Sequence, residues 1–338
     1  MSHASDVLRP TRRQFVQGVG LAGLGLLGGC GRLPFEGQQP AKVPRIGFLA
    51  PGAPQPQHEA FREGLRALGY VEGQNITIEH RSAEGREERL PELAAELVQL
   101  RVDTILAAGT PAAVAAKQVT NTLPIVFGAS NEPVESRLVA SLARPGGNVT
   151  GLSLMNSQLS AKRLEILKEA VPTLARVAVL AWPLQPTVER DWNETQVAAQ
   201  ALGLQLQRLD AQRADEFASA FEAATRKGAD ALVVLPNTLF ARERMSIVEL
   251  AAMHRLPAMY EQRQFADAGG LVAYGANLND LYRRAATYVD KLLKGAKPAD
   301  LPVEQPREFD FVINLKTARA LGLTIPHHVL LQATEVIE

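Results

Sequence analysis

The chain of 338 residues contains a single cysteine, Cys30, and equal numbers of basic and acidic side chains, 36 of each. One cysteine excludes an intramolecular disulfide, so the stability of the fold must come from buried apolar cores. The balanced charge gives no reason to expect a nucleic acid or an anionic membrane surface as a partner. The apolar, Gly-rich stretch 18–29 is too short to cross a bilayer, which takes about 20 residues as a helix.

Sequence signatures of catalysis are also missing. The chain has no G-x-S-x-G, no H-E-x-x-H and no Walker loop. Its 6 histidines are scattered, and the adjacent pair His327-His328 has no carboxylate or cysteine partner at the spacing of metal ligands. The sequence therefore predicts a protein without catalytic residues, without a metal site and without a cofactor.

The first 30 residues predict export. Thr11-Arg12-Arg13-Gln14-Phe15-Val16 is close to the twin-arginine pattern, and Leu27-Gly28-Gly29-Cys30 resembles a lipobox. We expect residues 1–29 to be a signal and Cys30 to carry lipid; the alternative is a chance cysteine behind an ordinary leader. Residues 30–43, rich in Pro and Gly, predict a tether to an exported, cell-envelope protein. Without the leader, 33 basic and 35 acidic residues would remain.

The remainder of the chain repeats itself. Segments beginning at Arg45, Ala67, Asp103 and Leu123 match segments that begin 131, 134, 127 and 133 residues later, in the same order. Each half alternates short apolar runs with helical stretches, which is typical of parallel strands joined by helical crossovers. Four matches in register favour a duplication over chance. Two similar α/β lobes on one chain usually enclose a cleft that binds a small ligand.

We expect the first lobe to span 44–155 and the second 156–275. Part of 276–300 is expected to join the first lobe and part of 301–338 the second, although the sequence leaves the division of this tail open. The predicted helices include Pro133–Leu142, Arg242–His254 and Asn279–Lys294, the last without a counterpart in the first repeat.

The ligand site is predicted beyond the carboxyl ends of the strands, where binding crevices of open parallel sheets lie. In the first repeat these positions hold Gly52, Thr110, Ser130 and Asn131, and in the second they hold Trp182, Asn237, Tyr260 and Glu261. Asn237 is the equivalent of Thr110, since each follows the aspartate of its repeat by seven residues.

Gly109-Thr110-Pro111 predicts a helix that begins with Thr110 as its N-cap and Pro111 as its first residue. Free amides at such a helix start, with the threonine hydroxyl, bind a carboxylate or another anion. Ser130 and Asn131 would add donors to the same anion. The alternative is an ordinary N-cap without a ligand.

Aromatic and acidic residues at the other strand ends have two interpretations each. Trp182 either stacks on a planar ligand or packs at the edge of its lobe, and Tyr260 and Tyr274 are further candidates of the same kind. Glu132 or Glu261 either receives a ligand ammonium or is simply solvated.

Five segments resemble those of the substrate-binding proteins of bacterial ABC transporters, in the group that includes the tryptophan-binding TrpX-like lipoproteins. They are Ile46-Gly-Phe-Leu49, Ala108-Gly-Thr-Pro-Ala-Ala113, Arg144-Pro-Gly-Gly-Asn-Val-Thr-Gly-Leu152, Ala268-Gly-Gly-Leu271 with Tyr274-Gly275 and, above all, Ile313-Asn-Leu-Lys-Thr-Ala-Arg-Ala-Leu-Gly-Leu-Thr-Ile-Pro326. The resemblance implies a type I periplasmic-binding fold, in which two Rossmann-like lobes joined by a hinge close on a solute in a central cleft and pass it to a permease. Glu132 departs from the pattern, because the family more often has Asp before this proline.

We therefore expect a binding protein that captures a small solute, an aromatic or branched amino acid, by hinge closure. Its partners would be the solute and an ABC permease subunit in the inner membrane, with a lipid anchor as its own membrane contact. The alternative is a sensor that presents its closed form to a membrane signalling partner.

Overall fold

Parallel strands alternate with helices from Arg45 onward in the computed structural model, which describes residues 42–185 and 187–338. The predicted signal, 1–29, and the predicted lipidation site, Cys30, lie outside these residues, as does most of the predicted tether. Residues Val43–Glu338 form one compact unit.

The first half of this unit forms a sheet of 5 parallel strands in the order β2-β1-β3-β4-β5. Every residue of the inner strands β3 and β4 is buried, as expected for a parallel sheet that helices cover on both faces. The strands are β1 Arg45–Ala50, β2 Thr77–Ser82, β3 Thr104–Ala107, β4 Ile125–Ser130 and β5 Val149–Ser153; the helices are α1 Pro56–Ala67, α2 Leu90–Gln99 and α3 Thr110–Val119.

The second half forms a sheet of 7 strands in the order β12-β11-β10-β9-β8-β6-β7, parallel except for the antiparallel pair β10 and β11. The strands are β6 Arg176–Ala181, β7 Gln205–Asp210, β8 Ala231–Val234, β9 Ala258–Tyr260, β10 Val272–Ala276, β11 Phe309–Asn314 and β12 Glu335–Ile337. The helices are α4 Ser160–Ala170, α5 Val188–Ala201, α6 Phe217–Arg226, α7 Thr238–Arg242, α8 Arg244–Met253, α9 Arg263–Asp267, α10 Leu278–Leu293, α11 Leu315–Leu321 and α12 His327–Leu330.

One of these helices, α10, packs on the first sheet. It lies against α1, and the contact is close at Gly64, where a side chain would overlap the backbone of Arg283 and the methyl group of Ala286. The following strands β11 and β12 extend the second sheet. The chain therefore passes between the two sheets three times: after β5, between β10 and α10, and at 304–308 before β11.

Hydrogen bonds join these crossing segments. The amide of Ser153 donates to the carbonyl of Glu304 (2.9 Å), and the amide of Asn277 donates to the carbonyl of Glu308 (3.0 Å). Three adjacent, hydrogen-bonded connections therefore join the two sheets.

One predicted helix is wrong. Residues 133–142 form a series of turns, because Arg137 adopts a left-handed conformation (φ 55°) and the Leu138 carbonyl accepts a hydrogen bond from Nζ of Lys117 (3.1 Å). The helix predicted near Arg242–His254 is confirmed as α8, Arg244–Met253, and a short helix that was not predicted, α7, precedes it. The side chain of Asn237 caps α7 by accepting from the amide of Leu239, so the helical segment starts earlier and breaks at Glu243.

An aromatic cluster in the first sheet's core encloses His58. Its ring lies 4.7 Å from Phe48 and 5.8 Å from Tyr282, and its Nδ1 accepts a hydrogen bond from the amide of Gln55 (3.2 Å). Burial lowers the pKa of His58 to about 4, and the neighbouring charges of His80 and Arg62 act in the same direction. The folded protein therefore holds this imidazole neutral.

We expect this histidine to make the protein sensitive to acid. In the unfolded chain its pKa returns to about 6.5, so between that pH and about 4 the unfolded state binds more protons and the free energy of unfolding falls as the pH falls. The expected loss from this group is about 2 kcal/mol between pH 6.5 and pH 5. Urea unfolding of wild type and His58→Gln at pH 7, 6 and 5 measures it, with the exposed His327→Gln as control. A difference between wild type and His58→Gln that is constant with pH would contradict the prediction.

Candidate functional site

Three predicted residues meet at the rim of the first sheet. The hydroxyl of Thr110 lies 2.9 Å from that of Ser130 and accepts a hydrogen bond from the amide of Asn131 (3.1 Å). The prediction that Thr110 caps α3 is wrong, because Gly109 holds the N-cap position with a φ of 92° that favours glycine. Without a capping side chain, the first amides of α3 remain open to an acceptor.

From this rim a polar chain crosses to the second sheet. The side-chain amide of Asn156, in the segment that follows β5, donates to Oδ1 of Asn131 (2.6 Å). Arg163 of α4 then donates from Nη2 to Oδ1 of Asn156 (2.6 Å), from Nη1 to its carbonyl (3.1 Å) and from Nε to the carbonyl of Tyr274 (2.8 Å). The guanidinium is buried, so this network fixes a positive charge at the base of the space between the sheets.

Glu261 follows β9 and is buried with an exposed fraction of 2%. Neither of its carboxylate oxygens has a hydrogen-bond partner in the described structure, although buried polar groups are nearly always paired. Burial raises the pKa of Glu261 to about 7, and the positive charge of Arg163 only partly opposes that shift. An unpartnered buried carboxylate of this kind is suited to a positively charged hydrogen-bond donor.

A second buried carboxylate, Asp191 of α5, is by contrast fully engaged. It accepts hydrogen bonds from the hydroxyls of Ser157 and Thr187. Burial raises the pKa of Asp191 to about 6, while these hydrogen bonds act in the opposite direction. Asp191 therefore serves to hold α5 against the segment after β5.

Three other predicted residues have contacts of their own within the fold. Asn237 caps α7 with its side-chain oxygen and donates from Nδ2 to Gln185 (2.7 Å). The indole nitrogen of Trp182 donates to the carbonyl of Gln212 (3.3 Å), and its ring packs on the core of the second sheet. Gly52 accepts at its carbonyl from the hydroxyl of Ser82 (2.8 Å).

Tyr260 lies inside the core of the second sheet. It is fully buried and stacks on Phe265, with ring centroids 4.6 Å apart. Tyr274 also packs on aromatic rings, those of Phe309 and Phe311. Both tyrosine rings thus contribute to packing.

Among residues 42–185 and 187–338, no helix is long and apolar enough to cross a membrane, and no group of three or more His, Cys, Asp or Glu side chains is placed to hold a metal ion.

The sequence profile of the family described as ABC transporter substrate binding protein matches residues 48–337. The chain belongs to this family. Members bind solutes rather than transform them, so this substrate-binding protein is not an enzyme, and its family implies a permease partner. Substrate-binding proteins of ABC transporters are extracytoplasmic.

Individual relatives agree with this assignment. A curated relative is the tyrosine-binding protein of Clostridioides difficile (strain R20291), 27% identical over 266 residues that cover 78% of this chain and 76% of the relative. A solved structure of an ABC domain from Streptococcus pneumonia in complex with L-Trp is 28% identical with a TM-score of 0.81, over 87% of this chain and 99% of that chain. A conserved domain protein from Vibrio cholerae O1 biovar eltor matches with the same identity and TM-score, over 87% and 100%. The predicted type I periplasmic-binding fold with two lobes is confirmed.

Several polar residues near the candidate site of this substrate-binding protein were not predicted from the sequence. Arg163 carried a usable signal, because it shares the buried stripe of α4 with Ile166, Leu167 and Ala170, where a basic residue is out of place. Asn156 had no such signal in the sequence, since a lone asparagine in a connecting segment belongs to no recognisable pattern.

The two lobes also touch at their rims. Nη1 of Arg190 on α5 lies 3.2 Å from Oε2 of Glu132 and pairs with Glu135, both in the loop after β4. Arg242 on α7 donates to the carbonyl of Gly85 (2.8 Å) on the first lobe. Glu132, which was predicted as a receiver of ligand ammonium, therefore already has a cationic partner.

Proposed function

We propose that this protein captures an aromatic amino acid between its lobes and delivers it to an ABC importer. The observation that carries the proposal is Glu261, whose buried carboxylate oxygens accept no hydrogen bond from a side chain of the described residues, although the charge of Arg163 acts on them. The ammonium group of an amino acid supplies both donors and charge to such a carboxylate. A ligand contact there replaces an unfavourable state of the empty protein, which makes the contact strongly favourable.

The opposite rim suits the other end of an amino acid. The open amides of α3, with the hydroxyls of Thr110 and Ser130, offer donors to a carboxylate at a helix start. Asn131 is linked to Arg163 through Asn156, so the two rims are joined at the base of the cleft. Gly52 and Trp182 stay predicted contacts of the ligand side chain.

The aromatic class is supported by the relatives. One is named as a tyrosine-binding protein, and another was solved with L-Trp. Both share more than a quarter of their aligned residues with this chain over most of its length.

Delivery to a permease requires a closed form that differs from the open one. We propose that the three crossing segments act as the hinge between lobe 1, 44–155 with α10, and lobe 2, which contains the second sheet. The bound amino acid touches both rims and therefore favours closure over the open form.

We further propose that residues 1–29 direct export and that Cys30 carries the lipid anchor, with residues 30–43 as the tether. The single cysteine of the chain stands where a lipobox needs it. Cys30→Ser would then release the protein from the membrane fraction into the soluble fraction of the envelope. Mass spectrometry of the mature N-terminus that finds an unmodified Cys30 would contradict the anchor.

A binding panel tests the proposed function. Isothermal titration and thermal unfolding would compare L-tryptophan, L-tyrosine, L-leucine, tryptamine, which lacks the carboxylate, and indole-3-propionate, which lacks the ammonium. We expect micromolar binding of an aromatic amino acid, about −8 kcal/mol, and about 2.7 kcal/mol of stabilisation at 100 times the dissociation constant. Indole-3-propionate should give no shift. A panel in which no amino acid binds would refute the proposal.

Loss of the rim contact between the lobes should speed release of the solute. Arg190→Met removes the partner of Glu132 and Glu135, and we expect the dissociation rate to rise about three- to fivefold with little change in association. Stopped-flow fluorescence at low and high salt measures both rates. Arg226→Met, an exposed residue of α6, is the matched control. Equal dissociation rates in wild type and Arg190→Met would show that this pair does not stabilise the closed form.

A further inference from the structure

Arg163 occupies an unusual position for a charged residue. Its guanidinium is buried and holds the segment after β5 through Asn156 and the middle of β10, the strand that leads to the second crossing, through Tyr274. Burial lowers the pKa of Arg163 to about 10, which leaves it charged at neutral pH. It is the cation that acts on Glu261, yet the two side chains form no hydrogen bond.

Few other charged or titratable groups face this pair. They are Tyr260, next to Glu261 in the chain, Tyr274 of β10 and Asp191 of α5, the last two acting on Arg163. Asp191 is engaged with Ser157 and Thr187. The charge state of Glu261 is therefore set mainly by its burial and by Arg163.

We propose that Arg163 is a positioning residue for solute capture: it holds the crossing segments beside the buried Glu261, whose carboxyl carries a proton in the empty cleft and releases it when the solute's ammonium binds. The inference rests on the proposed function, since it requires a solute with a protonated amine. On binding, the O–H bond of Glu261 breaks, the proton passes to water, and the ammonium N–H groups donate to the carboxylate oxygens.

The charge balance of the cleft explains the exchange. The empty site holds one buried positive charge, Arg163, with a neutral Glu261, because burial disfavours a second buried charge that has no hydrogen-bond donors. A solute ammonium brings both a positive charge and donors, and the ionised carboxylate then becomes the favoured form. Burial of Glu261 without a partner, together with a pKa near 7, places this exchange in the physiological range of pH.

Calorimetry of L-tryptophan or L-tyrosine binding in buffers of different ionisation enthalpy counts the protons released. We expect about 0.9 proton per solute at pH 6 and close to none at pH 8.5. Glu261→Gln should release none, whereas Glu222→Gln, an exposed carboxylate of α6, should release as many as wild type. Arg163→Met should keep releasing protons to a pH at least one unit higher than wild type does. Arg163→Lys, which keeps the charge, should behave between wild type and Arg163→Met.

A second measurement, the pH dependence of unfolding, needs no solute and therefore also tests variants that bind the solute poorly. Between about pH 4.5 and pH 7 the folded protein should hold one proton more than the unfolded chain at Glu261. The unfolding equilibrium constant of wild type, relative to Glu261→Gln, should therefore rise about tenfold for each pH unit. The unfolding equilibrium constant of Arg163→Met, relative to the double variant Arg163→Met with Glu261→Gln, should keep rising to a higher pH than this ratio does for wild type.

The outcomes separate the two proposals. Solute binding without proton release at pH 6, or equal release from Glu261→Gln, would overturn the role of Arg163 and Glu261 while the binding function stands. If no amino acid binds, the proposed function fails, and a ratio of unfolding constants that is flat with pH would overturn the present inference as well.

Discussion

Replacing Glu261 with glutamine is expected to abolish solute capture and, at the same time, to stabilise the empty protein. Binding should weaken at least 100-fold, about 3 kcal/mol, because the amide offers neither charge nor two acceptors to the ammonium. Stability should rise because burial keeps the pKa of Glu261 near 7, above its value of about 4.5 in the unfolded chain. A shift of this size corresponds to about 3 kcal/mol.

The sign of the pH dependence follows from the raised pKa. Below about pH 4.5 the carboxyl is protonated in both states and Glu261→Gln should gain nothing. Between about pH 4.5 and pH 7 the unfolded chain ionises this group while the folded protein keeps its proton, so the gain of the variant should grow across this window and reach its full value by about pH 8. Such a trade between stability and binding is expected where a residue serves a ligand rather than the fold.

Urea unfolding at pH 5 and pH 8, with titration of L-tryptophan and L-tyrosine, measures both effects. Glu132→Gln is the matched control, because Glu132 already has Arg190 as a partner and its replacement should lower stability slightly. A Glu261→Gln protein that binds as tightly as wild type would remove Glu261 from the site.

Gly275→Ala is expected to disrupt both the second lobe and the site. Gly275 stands on β10 beside the end of β9, and a Cβ at this position would overlap the carbonyl oxygen of Glu261. The neighbouring atom belongs to the buried backbone directly after β9, so it cannot move aside as a flexible side chain would. We expect a loss of about 3 kcal/mol in the free energy of unfolding and a displaced Glu261 carboxylate that no longer binds the solute.

Chemical denaturation and calorimetry of Gly275→Ala test this expectation. Gly147→Ala is the control, since a Cβ there meets no atom within 4 Å and its backbone does not require glycine. If the two variants were equally stable, the close approach of β10 to Glu261 would not describe the protein in solution. The steric constraint also explains why glycine stands in the Tyr274-Gly275 segment on which the family resemblance partly rests.

Part of the candidate site was predictable because parallel strands end at a common edge. Thr110 follows β3, whereas Ser130 and Asn131 stand at the end of β4, and that rule alone brought the three together. The same rule placed Glu261 at the end of its strand, but it did not predict that the carboxylate would lack a hydrogen-bond partner. The cation that acts on it, Arg163, comes from another segment of the chain, and the hydrogen bonds of Arg163 go to Asn156 and Tyr274 rather than to Glu261.

The sequence by itself determined the alternation of strands and helices in both halves, because hydrophobic periodicity and the duplicated segments are local properties. It also determined the family, through segments spread along the chain. Only the tertiary structure decided which side of each strand faces the ligand. Tyr260 and Glu261 are neighbours whose side chains point to opposite faces, so one packs on Phe265 in the core and the other lies beside Arg163. That choice depends on which helices cover each face, and no run of neighbouring residues encodes it.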